Sequence, residues 1–197
     1  MPKTWTNPVA ETQRMPEDNA RSRYLSEAEY ERLLKTSRVS TWPKLTLLIM
    51  LAVTTGARRG TLMGLRWKDI DLEEGRAFCA RTKNGEPFVL VLMPDVLREL
   101  KRFSVKSNPE DLVFCGKHPT KPMNFNKTWE AALGDAQIEG AVFHTLRHTH
   151  ASWLARRGAP LLAIADSLGH KSLTMTKRYS HLCVDSRAEM LTRMFGS

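Results

Sequence analysis

Cysteine is scarce. The 197-residue chain holds only Cys79, Cys115 and Cys183, an odd number, widely separated and without a C-x-x-C pair. This argues against a disulfide framework or a zinc knuckle and suits reduced thiols in a cytoplasm. Long apolar runs are also missing. The most apolar stretch, Leu45 to Val53, falls far short of the ~20 residues a membrane span requires, and it reads as a helix hidden in a core. The N-terminal Met-Pro-Lys-Thr-Trp lacks the charged-then-apolar layout of a signal peptide. With Gly 11 and Pro 10, collagen-like and low-complexity classes drop out. No internal repeat and no phosphate-binding glycine loop occurs. Acidic residues are in short supply: 21 Asp and Glu stand against 30 Lys and Arg, a formal charge of +9. A globular chain this basic suits a polyanion, most often nucleic acid, although a basic surface also serves solubility alone.

What is present is a core-forming composition, 42% hydrophobic and 26% charged, enough for one domain of ordinary size. Residues 1 to about 23 are polar, carry Pro2, Pro8 and Pro16, and read as a linker or arm. The domain proper is expected over 24–197. Ser26 and Glu29 form a capping box, flanked by Leu25 and Tyr30 at staple positions, and open a helix to about Ser37. Pro43 opens the next, which Gly56 breaks. A short helix is expected over Arg58 to Leu65. Three strand candidates follow: Trp67 to Leu72, Arg76 to Arg81 and Pro87 to Leu92, separated by Glu74-Gly75 and Asn84-Gly85. Asn-Gly suits a type I′ turn, so the segment reads as a small antiparallel meander. Helices are expected again at Asp95 to about Lys106, Asn126 to about Ile138, His144 to Arg157, Pro160 to Leu168, Ser172 to about Tyr179, and Asp185 to Phe195. The fold class is α+β: a mostly helical domain with one small antiparallel three-stranded sheet.

Five segments stand out when read for phosphate chemistry. In Thr55-Gly56-Ala57-Arg58-Arg59-Gly60 a buried helix ends in a glycine break and two guanidinium forks, which match phosphate oxygens and equally suit a helix C-terminus. Lys83 stands in Thr82-Lys83-Asn84-Gly85, at the tip of the expected hairpin, where an ammonium can be aimed into a groove or simply solvated. In His144-Thr145-Leu146-Arg147-His148-Thr149-His150, helical spacing puts His144, Arg147 and His148 on one face. A metal site from His144, His148 and His150 lacks a completing acid or cysteine, and His150 lies off that face; His148 reads as a core histidine. The last two segments are Leu168-Gly169-His170 and Thr176-Lys177-Arg178-Tyr179-Ser180-His181.

In this order and spacing the segments resemble the catalytic domain of tyrosine recombinases, the phage integrase family: T-G-x-R at Thr55 to Arg58, the sheet lysine at Lys83, H-x-L-R-H at His144 to His148, L-G-H at Leu168 to His170 and T-x-x-Y-x-H at Thr176 to His181. The resemblance covers about Leu25 to the C-terminus. It implies site-specific cutting and rejoining of DNA through a 3′-phosphotyrosine on Tyr179. It implies that Arg58 and Arg147 clamp the non-bridging oxygens, that His144 carries the phenolic proton, that Lys83 protonates the departing 5′-oxygen, and that His170 supports the phosphate or orients Tyr179. Neither ATP, metal nor another cofactor is implied, since the covalent link stores the energy of the broken bond. The partners implied are double-stranded DNA and further copies of the chain, in a tetramer on DNA held through the C-terminal segment, with a monomer in its absence and no membrane. Leu182, Val184, Met190, Leu191, Met194 and Phe195 would form the apolar face for that docking, in cis or on a neighbour. Two departures stand out. Thr61 precedes Leu62 where the family usually has Glu, and the family's N-terminal helical domain is expected to be absent, the chain opening on what resembles the interdomain linker. Two other readings stay open: a type IB topoisomerase with a similar residue set, and a non-catalytic helix-turn-helix reader built from Leu161 to Tyr179.

Overall fold

A computed structural model describes residues 23–79, 88–105 and 107–196; the side chains of 184–187 and 189 are not part of that description. Of the expected arm over 1–23, residues 1–22 therefore lie outside the described residues, as does the Lys83 hairpin tip. Helix α1 (Glu27–Arg38) begins at the expected capping box: Ser26 Oγ accepts from the Glu29 amide at 3.2 Å, and the Ser26 amide donates to Glu29 Oε2 at 2.8 Å. Arg23 grips the same carboxylate with both terminal nitrogens. That bond, ahead of the opposing effect of burial, holds the Glu29 carboxyl down to about 2.

Helix α2 (Leu45–Thr55) is apolar on nearly every side, and nine of its eleven residues are buried. Such a helix has no solvent face and must sit at the centre; α1, α4 (Pro94–Ser104) and α6 (Thr145–Arg156) pack around it. It ends on Gly56 in the left-handed region, φ 63°. No other residue fits there, since a Cβ would lie 2.6 Å from the His150 ring and 2.8 Å from Leu168. Arg58 then caps the short α3 (Arg59–Met63). Strands β1 (Ile70–Asp71), β2 (Arg76–Cys79) and β3 (Phe88–Val91) form the antiparallel sheet in the order β1-β2-β3, with Ile70 opposite Ala77 and Phe78 opposite Val89. Alternation turns Ala77, Cys79 and Leu90 inward and leaves Phe78, Val89 and Val91 exposed. β1 is shorter than the expected Trp67 to Leu72. The Arg66 amide bonds Asp69 Oδ2 at 2.9 Å and the Asp69 amide returns to the Arg66 carbonyl at 3.0 Å, winding 67–69 into a 3-10 turn instead.

Helices α4 (Pro94–Ser104) and α5 (Asn126–Asp135) complete the larger core. Within it Phe125 stacks on Trp42 at 6.0 Å and meets Phe143 edge-on at 5.0 Å. α6 (Thr145–Arg156) crosses α2, and α7 (Leu161–Leu168) packs on α6, ending on left-handed Gly169. The helix expected over Ser172 to Tyr179 is instead a pair of 3-10 segments, Leu173–Met175 and Lys177–Cys183, broken at Thr176. Ser172 still caps, accepting from the Thr174 amide at 3.2 Å, but over one turn only. Three residues per turn align Thr176 with Tyr179, and both are buried. Without a second regular helix the helix-turn-helix reading loses its recognition element. α8 (Val184–Phe195) closes the chain. No helix among the described residues is long and apolar enough to cross a membrane.

Candidate active site

Four parts of the chain converge at the C-terminal ends of α2 and α7: the Gly56–Arg58 break, the first turn of α6, the corner at His170, and the 177–183 segment. Arg147 is the anchor. It is only 6% exposed, and its Nη1 donates to the Gly56 carbonyl at 2.6 Å while Nη2 donates to the Leu168 carbonyl at 2.8 Å. Both acceptors stand where a helix ends and carries partial negative charge. A buried guanidinium is thus held in one orientation without a carboxylate. Burial first, then Arg58, lower its pKa to about 10, with Tyr179 opposing; it stays charged at neutral pH. Arg58, half-buried at the N-cap of α3, has no hydrogen-bond or ion-pair partner among the described residues and is available to an anion.

Tyr179 is 3% exposed and packs with Ala151, Ala155, Ile164 and Leu168. Its hydroxyl lies 2.7 Å from His148 Nδ1. His148 is half-buried, not a core residue as its sequence context suggests. Burial, then the charges of His144, Arg178 and Arg147, push it down to about 4. His144 is exposed, its ring edge-on to that of His148 at 4.9 Å. Desolvation followed by Arg147, Arg58 and Arg178 lowers its pKa. His170 bonds Thr176 Oγ1 through Nδ1 at 2.8 Å, and burial followed by Arg147, Arg58, Arg178 and His148 brings it down to about 4. Burial raises the Tyr179 phenol, against Arg178 and Arg147, which lower it. No carboxylate contributes to any of these shifts. The site is a nest of cations around neutral imidazoles and one phenol, electrostatically incomplete until an anion enters.

Five of the six residues singled out from sequence, Arg58, His144, Arg147, His170 and Tyr179, therefore share one neighbourhood; Lys83 lies outside the described residues. His150 is not part of a metal site. Its Nδ1 lies 2.8 Å from the Val53 carbonyl and its Nε2 2.6 Å from Ser167 Oγ, so it ties α2 to α7 behind Arg147. Among the described residues no three His, Cys, Asp or Glu side chains gather for a metal. Sequence reasoning assigned no functional role to His148, Arg178 or Thr176, although all three stand in the segments it singled out. The signal for His148 was a helical stripe, His144, Arg147, His148, Ala151 and Ala155: two alanines below two imidazoles leave space for a ring on that face.

Comparison with known proteins adds the following. The family described as Phage integrase family matches over residues 23–185. The chain is 30% identical to the integrase of Salmonella phage P22 over 197 aligned residues, covering 91% of this chain and 49% of that one. Its fold matches the catalytic domain of bacteriophage HP1 integrase with a TM-score of 0.68 at 23% identity, over 88% of this chain and 94% of that one. It also matches XerH site-specific recombinase bound to palindromic difH substrate in a post-cleavage complex, with a TM-score of 0.70 at 25% identity, over 88% of this chain and 54% of that one. The chain spans about half the length of the curated relatives it matches.

Proposed function

Because the chain belongs to the phage integrase family, we propose that it cuts and rejoins DNA strands through a 3′-phosphotyrosyl bond to Tyr179. The observation that carries this reading is the Tyr179 hydroxyl, bonded to His148 at 2.7 Å inside a cluster whose electrostatic contributors are cations and imidazoles alone. A phosphodiester under attack gains negative charge in its pentacoordinate state, and fixed cations in a partly desolvated pocket act most strongly there. Arg147, locked by two carbonyls, and Arg58, left without a partner, take the non-bridging oxygens. His144 and His170 complete the donors around the phosphate, with Thr176 fixing the His170 ring. Lys83 supplies the proton to the departing 5′-oxygen. The covalent link then waits for a 5′-hydroxyl of the same or another strand.

Double-stranded DNA is the substrate on this reading, supported by the basic charge and by the DNA-bound XerH neighbour. The C-terminal helix joins protomers into a tetramer on that DNA. Supporting this, Met190, Leu191, Met194 and Phe195 are 45%, 47%, 65% and 76% exposed on the single chain, whereas Leu182 packs in cis.

The test is incubation with a nicked suicide duplex, its core selected from a randomised pool by covalent capture on this chain, followed by denaturing electrophoresis. The expected result is a protein–DNA adduct that Tyr179→Phe abolishes while its melting shifts by no more than about 1 kcal/mol. Failure to capture any duplex, or an adduct that survives Tyr179→Phe, overturns the reading.

A further inference from the structure

The hydroxyl that would attack DNA already has a partner, and it is not His144, to which the family resemblance gives the proton. Tyr179 Oη stands 2.7 Å from His148 Nδ1, with the two rings 6.1 Å apart and inclined at 48°. His144 meets His148 only ring to ring. We propose that His148 is a catalytic residue whose Nδ1 accepts the phenolic proton of Tyr179 as that oxygen attacks the DNA phosphorus. The inference rests on the phosphotyrosyl reading above and adds a role to that same site.

The step balances. The Tyr179 O–H bond breaks and its proton forms the Nδ1–H of an imidazolium. The phenolic oxygen bonds to phosphorus, the bond from phosphorus to the 5′-oxygen breaks, and that oxygen leaves with the Lys83 proton. Rejoining reverses each transfer, so both proton carriers return to their starting states.

Substrate turns this base on. The charges acting on His148 come from His144 and Arg147 at the start of α6 and from Arg178 in the 177–183 segment. His170, past the end of α7, feels it in turn. α2, which also packs on α6, contributes no charged side chain to it. Burial first, and these neighbouring charges after it, hold the ring neutral, down to about 4, with a lone pair free for the phenol. A phosphate lodged beside Arg147 and Arg178 offsets those two cations, and an anion nearby raises an imidazole's affinity for protons. Basicity therefore rises as the electrophile arrives. The phenol needs such help, because burial holds it above its ordinary range and the free phenolate fraction at neutral pH is below roughly one in a thousand. The ring is held in place by small neighbours: Ala151 and Ala155, further along the same face of α6, lie fully buried against Tyr179.

Two measurements test this. Nitrogen-15 spectra of histidine-labelled protein at pH 7 should show His148 with Nδ1 unprotonated and Nε2 protonated, and Tyr179→Phe should shift the Nδ1 signal. A proton on Nδ1 overturns the proposal, because the ring would then donate to the phenol and could not receive from it. This reading is taken on the wild-type chain and holds whether or not a variant folds.

In single-turnover cleavage of the captured duplex, His148→Ala and His148→Asn should each lose roughly 10²–10⁴-fold in rate. Their residual rate should climb about tenfold per pH unit as hydroxide takes over, and added imidazole should restore part of the His148→Ala rate. A 5′-bridging phosphorothiolate, whose leaving group needs no proton, should leave the defect in place. Variant rates within tenfold of wild type with an unchanged pH profile, or full rescue by the sulfur substrate, overturn the proposal. If the wild-type chain forms no adduct, the phosphotyrosyl reading fails; if it does and the variants keep pace, only this inference fails.

Discussion

The two clusters of the molecule are built on different principles. Around α2 the core is hydrocarbon and aromatic: Leu33, Leu48, Ile49, Leu51, Phe114 and Phe125 are fully or almost fully buried. Around α6 and α7 the apolar cluster is small, Ala151, Ala155, Ile164, Leu168 and Tyr179. Among the described residues, six of the nine buried polar ones, Thr145, Arg147, Thr149, His150, Ser152 and Thr176, fall in this second region. The first region gains stability from surface removed from water, which depends little on direction. The second depends on each polar group finding its partner, and among the described residues no buried side-chain nitrogen or oxygen lacks one. A rigid hydrocarbon block carries a polar pocket whose cohesion is directional and sensitive to protonation.

Acid should separate the two regions most. His148 and His170 are held down to about 4 in the fold, against an ordinary ~6.5 in the unfolded chain. Their stabilisation is fully present above pH ~6.5 and is lost as pH falls towards 4, because the unfolded state takes up protons first. Allowing for partial solvent screening, the pair should cost roughly 4 kcal/mol across that window. Urea melts at pH 7.5 and 4.5 read the loss. Hydrogen exchange should show protection failing in 145–183 before α2; uniform loss, or none, would erase the distinction drawn between the regions.

A cavity in the hydrocarbon block should act in the opposite way. Leu48→Ala removes a fully buried side chain and should cost about 3 kcal/mol, within the usual 2–5. The loss should be the same at both pH values, and the adduct yield per folded molecule should be unchanged. A pH-dependent loss would mean that the two regions are coupled more tightly than their composition implies. The smallest effect is expected at the C-terminal helix. Met194→Ser with Phe195→Ser alters exposed side chains and should move the melt by less than ~0.5 kcal/mol, while protein–DNA complexes larger than one protomer disappear from native gels. Intact assembly would remove α8 from the protomer contact.

Much of the fold was legible in local pattern. The capping box at Ser26, the all-apolar run of α2, the glycine stop at Gly56 and the three-strand meander all depend on near neighbours in the chain, and each stands close to where it was expected. The errors fell where side chains, near or distant, compete with the regular pattern for the backbone. Residues 172–179 carry a helix-like cap, yet Thr176 is drawn inward to His170 and Tyr179 is drawn under α6, which a 3-10 path satisfies. Residues 67–69 show strand spacing, yet Asp69 folds back on Arg66. In the site, the arginine, histidine and tyrosine boxes could be picked out by residue type and order, while the partner of each side chain could not.

Composition, motif order and local periodicity determined by themselves a basic, mostly helical domain with a small sheet and a set of residues able to handle a phosphodiester. Tertiary structure alone decided that Arg147 rests on two helix-end carbonyls, that His150 braces rather than ligates, and that the Tyr179 hydroxyl meets His148 and not His144. The reason is one of range. Caps, turns and amphipathic faces arise between residues a few positions apart, whereas the partner of Tyr179 lies 31 residues away and is chosen only when α6, α7 and the 177–183 segment pack together.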